Sequence, residues 1–369
     1  MSDPFFRLEP LELPPVGSDA WVELPGCAAL FDCPQDPEWH AEGDVGVHTR
    51  MVLDALVTDP DWQALPPDEQ EDCWLACLWH DIAKPLVTRE EDGRIRSPGH
   101  SRRGAVIARV LAWRAGLPPE RRERIAHLVA LHQVPFFAMD RDDPERSLAL
   151  LSHVVRLDLL ALVNRADGLG RTCADAQRLA DANALFVLGA DELGCLRSPY
   201  PFPSDHARVL AWMKERPLSA PAWDDRWGEV VVLSGLPATG KDTWLRERWD
   251  GPVVSLDALR AELRVSPGDD QGPVIAEARE RAKQHLRAKR PFAWNATNLS
   301  RDLRDRVVNL AMDYGAAVRF VCAEASLSEL LERNGARDEP VPVRAIERML
   351  RRWEAPTRLE GHRLERVGP

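Results

Sequence analysis

The sequence predicts two domains of different class, an all-α N-terminal bundle and a C-terminal α/β domain with a parallel sheet and a helical lid. Three observations predict it. From Val47 to about Ala190 apolar residues recur at i, i+3 and i+4, without the alternation of strands. From Glu229 onward short buried-type runs alternate with helical patterns, which implies parallel strands joined by crossover helices. Between the two, 194–228 carries Ser198-Pro199-Tyr200-Pro201-Phe202-Pro203 and Leu218-Ser219-Ala220-Pro221, a tether around one short helix. The domains are then 1–193 and 229–369, with 194–228 as linker.

Each element has its own justification. The first forty residues are Pro-rich and irregular. A helix starts at His48 and runs through Val57, and 69–84 makes another with one apolar stripe. Further helices fit 101–115, 119–131, 148–167 and 171–188. In the second domain Glu229–Ser234, 253–256, 291–294 and 317–322 read as strands, with helices between them.

At 369 residues the chain is long enough for two cores, and 44% apolar with 29% charged residues is the balance of a soluble globular protein. No apolar run approaches the roughly 20 residues that span a bilayer, so no membrane partner is expected. The start Met1-Ser2-Asp3-Pro4 lacks an export signal, and seven cysteines without a CxxC fit reduced thiols, so cytoplasm is the expected location. A net charge of -11 excludes wrapping long nucleic acid by bulk electrostatics, though not gripping a few nucleotides at one end. Lysine occurs only at 84, 214, 241, 283 and 289, and two of these, Lys84 and Lys241, fall inside motifs.

The strand ending in Ser234 leads into Gly235-Leu236-Pro237-Ala238-Thr239-Gly240-Lys241-Asp242, and a helical pattern follows. Gly235 and Gly240 let backbone N–H groups of the loop, Thr239 included, converge on phosphate oxygens. The helix N-terminus adds positive potential, and Lys241 can reach the β- and γ-phosphates. ATP (or another NTP) with Mg²⁺ is the expected ligand. Asp242 stands where Ser or Thr usually meets the metal, and either Asp242 through water or the following Thr243 can take that place. Asp257 lies at the carboxyl end of the next strand, where it can accept the proton of an attacking hydroxyl or cap a helix. Arg260, one turn on, can clamp a neighbouring phosphate.

The ordered set of loop, Asp257-x-x-Arg260, Thr297-Asn298 and Arg333-Asn334-x-x-Arg337 resembles the phage and bacterial 5′-OH polynucleotide kinases across 229–353. The resemblance implies that Asp257 is the general base, that Arg260 and the Thr297-Asn298 pair meet the polynucleotide, and that Arg333 and Arg337 are lid arginines on the ATP phosphates. Some relatives carry an acidic residue before the Thr-Asn pair, and here Ala296 holds that place.

The first domain contains His48, His80-Asp81, Lys84-Pro85, His100, His132 and Asp167-Gly168-Leu169-Gly170-Arg171, all on or beside expected helices. Such ligands can converge inside a bundle on divalent metals, which would activate a water and hold phosphate oxygens, with Lys84 offsetting developing charge. The series resembles the HD-domain phosphohydrolase superfamily, and the run from His80 to His132 is closest to the HD domains of bacterial CCA-adding enzymes. That resemblance implies His48, His80, Asp81 and Asp167 as core metal ligands, and His100 and His132 as completing a second position. The metal would be one or two divalent ions, a transition metal such as Mn²⁺, Co²⁺, Ni²⁺ or Zn²⁺. His127 reads as structural. His40 and Asp44 either border the substrate or are ordinary loop polarity. His153, His206, His285 and His362 have no companions in sequence.

Together the halves resemble the bacterial HD–polynucleotide kinase proteins, bifunctional end-healing enzymes. The resemblance implies ATP-dependent phosphorylation of 5′-OH ends and metal-dependent 2′,3′-cyclic phosphodiesterase or 2′-phosphatase action on the other end. RNA or DNA ends would be substrates, with a nucleic-acid ligase acting downstream. Two alternatives stand beside it. One is a small-molecule or nucleoside kinase fused to an HD nucleotidase, in which Arg260 is dispensable. The other is an ATP-responsive regulator, indifferent to Asp257→Ala.

Overall fold

A computed structural model describes residues 3–220 and 222–368. Met1 and Ser2, which opened the sequence reading of the chain's start, lie outside the described residues, as do Pro221 of the tether and Pro369. The chain divides into two compact units, Met1–Pro201 and Phe202–Pro369. Among the described residues no helix is long and apolar enough to cross a membrane. All seven cysteines are free, and only Cys173 is not buried.

The first unit is helical: α1 Val45–Thr58, α2 Pro60–Gln63, α3 Pro67–Trp79, α4 His100–Arg114, α5 Pro119–Leu131, α6 Pro144–Leu151, α7 Leu157–Leu169 and α8 Ala176–Glu192. Its core is the stripe that the periodicity marks, with Val52 and Leu56 of α1, Leu75 and Leu78 of α3, Ile107 and Leu111 of α4, and Leu160 and Val163 of α7 all buried. Three sequence expectations change. The helix expected over 69–84 stops at Trp79, and Ile82 N and Lys84 N instead close turns onto Trp79 O and Asp81 O. Pro85, which has no N–H, cannot continue a helix. The span 148–167 is two helices, broken where Tyr200 N donates to Ser152 Oγ and His153 Nε2 meets Tyr200 O. A small antiparallel hairpin, β1 Arg89–Glu91 with β2 Arg94–Arg96, sits where no strand is expected, because its residues are charged and do not alternate.

In the second unit, five strands among the described residues form one parallel sheet: β3 Glu229–Ser234, β4 Val253–Ser255, β5 Phe292–Asn295, β6 Ala317–Ala323 and β7 Arg363–Val367, in the order β4-β5-β3-β6-β7. The helices are α9 Asp205–Met213, α10 Lys241–Arg248, α11 Leu256–Leu263, α12 Gly272–Arg287, α13 Arg301–Asp313, α14 Leu327–Gly335 and α15 Val343–Leu350. Along β3, Val230 and Val232 pack into one core while Val231 and Leu233 pack into another. A strand buried on both faces reads as a continuous apolar run, which is how the sequence shows it. β7 is absent from the sequence reading; it is an edge strand whose charged residues leave no alternation to see.

The helix within the expected tether, α9, belongs to the second unit. Arg208 of α9 donates to the carbonyls of Arg358, Gly361 and His362. His206 and His362, companionless in sequence, stack with ring centroids 5.4 Å apart and share a 3.1 Å hydrogen bond. They are 156 positions apart, so no local pattern reveals the pair.

Candidate functional site

In the first unit the turn after α3 points His80 and Asp81 inward, and α1, α4, α5 and α7 add His48, His100, His132 and Asp167. All six are buried. His48, His80 and Asp167 each bring a ligand atom within 4.8 Å of the others, and Asp81, His100 and His132 do the same. His48 Nε2 lies 3.2 Å from both His80 Nε2 and Asp167 Oδ1, and His80 Nε2 lies 3.1 Å from Asp81 Oδ2. Asp81 Oδ1 faces His100 Nε2 at 3.3 Å.

The imidazoles share a device. His80, His100 and His132 each turn Nδ1 to the carbonyl three residues earlier, Cys77 O at 2.6 Å, Ser97 O at 2.8 Å and Val129 O at 2.8 Å. His48 Nδ1 turns to Gly170 O at 3.0 Å. A carbonyl only accepts, so Nδ1 carries the proton and Nε2 keeps its lone pair for the centre. Gly170 comes this close because it has no Cβ; one would meet Val52 N at 2.8 Å.

This donor set fits a divalent cation. In their neutral forms His48 and His80 oppose lone pairs at 3.2 Å, beside two carboxylates, and only positive charge relieves that. Asp81 Oδ1 and His132 Nε2 are buried and take no hydrogen bond. Burial pulls His48 down, but the Asp167 and Glu42 carboxylates beside it outweigh burial and raise its pKa, so the site favours positive charge at this ring. Burial pushes Asp81 up, but His80 and Lys84 hold it well below the usual carboxylate range, and Arg171 and His48 do the same for Asp167. Burial among cations draws His132 down to about 3. Ionised carboxylates with imidazole Nε2 atoms turned towards them form a donor set that a divalent metal fits, taking the place of the positive charge that His48 favours.

Around this centre, Lys84 Nζ donates to Asp81 Oδ2 and to Gln35 Oε1, each at 2.7 Å. Arg171 grips Asp167 through Nε and Nη2 at 2.8–3.1 Å and lies over the Phe136 ring. Glu42 takes His40 Nδ1 at 2.7 Å and His48 Nδ1 at 3.1 Å. Gln35 and Glu42 escaped the sequence reading, since Gln35 reaches Lys84 across 49 positions and Glu42 meets His48 from a loop, whereas Arg171 grips Asp167 as an i,i+4 pair within the run Asp167-Gly168-Leu169-Gly170-Arg171. Asp44 caps α1 by accepting from Val47 N, and His127 and His153 stand outside the group.

In the second unit the phosphate-loop residues lie between the end of β3 and the start of α10. Gly235 is obligatory by contact, since a Cβ would meet Ala323 O at 2.5 Å and Thr239 Oγ1 at 2.7 Å. Thr239 is buried and donates to Leu236 O at 2.8 Å. Lys241 Nζ donates to the carbonyls of Gly235 and Leu236. Burial draws its pKa down to about 8, against the charges of Asp242 and Asp257, with Arg337 adding to the fall. Asp242, Asp257 and Arg337 therefore each act electrostatically on Lys241. Asp242 accepts from Asn295 Nδ2 at 2.7 Å, a partner the sequence did not suggest, while Thr243 is exposed and meets only Arg246 at 3.4 Å.

Asp257 is not the cap of α11, because Ser255 Oγ accepts from Ala258 N in that role. Asp257 is exposed, paired with Arg260, which also donates to Gln271. Asn298 faces inward: it is buried and its Nδ2 donates to Leu233 O at 2.6 Å, while Thr297 O accepts from Gly235 N. The pair braces the loop's backbone. Arg333 and Arg337 are both exposed, Arg333 bonded to Glu329 at 2.9 Å.

Comparison with known proteins divides the chain in the same way. Residues 47–170 match the HD domain and residues 230–356 match an AAA domain family, AAA_33. The chain thus joins an HD phosphohydrolase domain to a P-loop kinase-like domain; HD domains bind divalent metals, and P-loop kinases bind a nucleotide with Mg²⁺. The multifunctional CCA protein of Halorhodospira halophila (strain DSM 244 / SL1) is 39% identical over 95 residues, 26% of this chain and 20% of that protein. The chain therefore spans only a fifth of the length of this relative. Among solved structures, a candidate kinase from Chloroflexus aurantiacus J-10-fl is 23% identical with a TM-score of 0.31, covering 39% of this chain and 86% of its own. A gluconokinase from Sinorhizobium meliloti 1021 is 24% identical with a TM-score of 0.30, covering 39% of this chain and 85% of its own.

Proposed function

We propose that the chain heals nucleic-acid ends: the second unit phosphorylates 5′-OH ends from ATP, and the first opens 2′,3′-cyclic phosphates and removes the 2′-phosphate. RNA is the preferred substrate class, since cleavage by transesterification leaves both kinds of end, and a ligase would act on the product. The observation that carries this reading is Asp257. Freed from capping, exposed in the first turn of α11 just after β4 and acting electrostatically on Lys241, it supports the role of a base that takes the proton of an acceptor hydroxyl beside the phosphate loop.

In the kinase site Asp257 takes the hydroxyl proton and Arg260, already paired with it, holds the phosphate next to that hydroxyl. Lys241 and Arg337 offset the charge of the transferred phosphoryl group, with Arg333 beside them on the lid, and Asp242, fixed by Asn295, faces the Mg²⁺ position. In the HD site divalent ions would supply Lewis acidity and an activated water. His48, His80, Asp81, His100, His132 and Asp167 would hold them. Lys84 and Arg171 place fixed positive charge beside the phosphate oxygens.

Asp257→Asn tests the kinase half. With a 5′-OH RNA oligonucleotide, kcat should fall at least about 100-fold while ATP affinity stays within about twofold. Unchanged kcat would remove Asp257 from the base role, ATP binding without turnover in the wild type would point to a regulator, and full activity of Arg260→Ala on a small acceptor would point to a small-molecule kinase.

A further inference from the structure

The first unit contains a cavity of 910 Å³ between α7 and α8, within the size of small-molecule sites, roughly 300–1,000 Å³. Its walls are mostly apolar, with Phe136, Leu179 and Leu188 among them, and Arg171 lines it too. Arg171 is the guanidinium whose Nε and Nη2 grip the metal-site Asp167; its Nη1 makes no bond, and its face lies 5.1 Å over Phe136. One residue therefore borders both the cavity and the metal cluster.

A chain of amides leads from the cluster to the cavity floor. Asn164, wholly buried, donates Nδ2 to the backbone carbonyl of His132 at 2.8 Å. Asn183 donates Nδ2 to Asn164 Oδ1 at 2.7 Å and to Ala161 O at 2.9 Å. Backbone carbonyls only accept, so both amide orientations are forced. Asn183 is 5% exposed, lines the cavity, and its Oδ1 takes no hydrogen bond. That oxygen stands on the cavity wall, available to accept an N–H from a ligand.

We infer that this cavity holds the nucleobase of the terminal nucleoside whose phosphate lies at the metal cluster, with Asn183 Oδ1 accepting a base N–H. The inference rests on the phosphoesterase reading of the first unit. Apolar walls suit the faces of a base, a fixed acceptor selects an amino or imino N–H, and Arg171 Nη1 stands at the junction of base and phosphate. Nothing of this depends on an extended basic surface, which the acidic chain does not offer.

The test uses the full-length, metal-loaded protein and two oligoribonucleotides ending in a 2′,3′-cyclic phosphate, one with a terminal adenosine and one with a reduced abasic ribose. Wild type should prefer the adenosine end in kcat/KM by about tenfold or more, the factor one hydrogen bond carries. Asn183→Leu, which removes the acceptor, and Ala184→Trp, which fills the cavity from an exposed position away from the amides, should each bring the ratio near one. If Asn183→Leu misfolds, Ala184→Trp alone decides. A wild-type ratio near one, or a ratio that Ala184→Trp leaves intact, would overturn the inference and leave the phosphoesterase reading standing. Turnover of neither oligonucleotide would end that reading and the inference with it. A dimer that Ala184→Trp disperses would assign the cavity to a second copy and also overturn it.

Discussion

Raising the pH from about 7 to about 9.5 should weaken nucleotide binding at the phosphate loop and couple it to proton uptake, because Lys241 loses its charge in that interval. Its pKa lies at about 8, drawn down from 10.5 by burial, with Asp242 and Asp257 opposing and Arg337 assisting. A bound triphosphate brings negative charge to Nζ and raises that pKa again. Below about pH 8 the lysine is charged with or without nucleotide, so affinity is flat. Above it, each pH unit should cost about tenfold in Kd, until the raised pKa of the complex is reached. At about pH 8.5 some three-quarters of the free lysines are neutral, so binding should take up about 0.8 proton. The phosphates of ATP are fully ionised there and do not contribute. Calorimetric titration in two buffers of different ionisation enthalpy measures the uptake directly. Arg337→Ala removes a cation facing Lys241 and should move the onset upward. Flat affinity with no proton uptake would refute the assignment of Lys241 to the phosphates.

Other perturbations probe the rest of the frame. Gly235→Ala forces a Cβ against Ala323 O and Thr239 Oγ1 and should abolish ATP binding while costing about 1–3 kcal/mol, measured by calorimetry and denaturant unfolding; retained binding would show a loop freer than its contacts. Asp81→Asn removes a carboxylate shared between both ligand groups; metal content by elemental analysis and the metal-induced rise in Tm should both fall, with at least about a thousandfold loss of phosphoesterase activity. Arg304→Ala leaves the buried Glu360 without its partner and should cost about 3–5 kcal/mol in denaturant unfolding, whereas Arg304→Met with Glu360→Leu should cost far less; equal losses would mean that packing, not charge, holds this pair. On the end-binding reading only a few nucleotides are gripped, so log Kd for RNA should vary with log salt with a slope of about two or less; a slope near that of a groove-tracking protein would contradict that reading.

The six candidate metal ligands were legible through the resemblance of their ordered series to HD domains, and the structure brings their ligand atoms into two groups. The phosphate loop was legible because strand, glycines, lysine and helix are contiguous. What escaped acts over distance. Gln35 reaches Lys84 across 49 positions, and Asn183 reaches Asn164 between two helices. No local periodicity encodes a hydrogen bond between side chains on separate elements. Asn298, which the resemblance assigns to the polynucleotide, has a left-handed backbone (φ 45°) that turns its amide in to brace Leu233, 65 positions away, a contact no local pattern shows. The edge strand β7 and the β1–β2 hairpin were hidden for one reason, since charge on exposed strands erases the alternation that would announce them.

The two sites meet opposite electrostatic demands, and the overall charge of -11 describes neither. In the first unit buried carboxylates, Glu42, Asp81 and Asp167, converge where a metal would sit, and Lys84 and Arg171 are tied to them. A phosphate is attracted there only after metal has reversed the sign of the centre, so substrate binding at this site should depend on metal far more than on salt. In the second unit the positive potential is built in, from the loop's N–H groups, Lys241 and Arg337, with Asp242 and Asp257 acting on Lys241 against burial. Nucleotide affinity there should respond first to the protonation of Lys241. On the proposed reading a single chain can bind phosphate twice while repelling polyanions in bulk, because each site sets its own sign within a few ångströms.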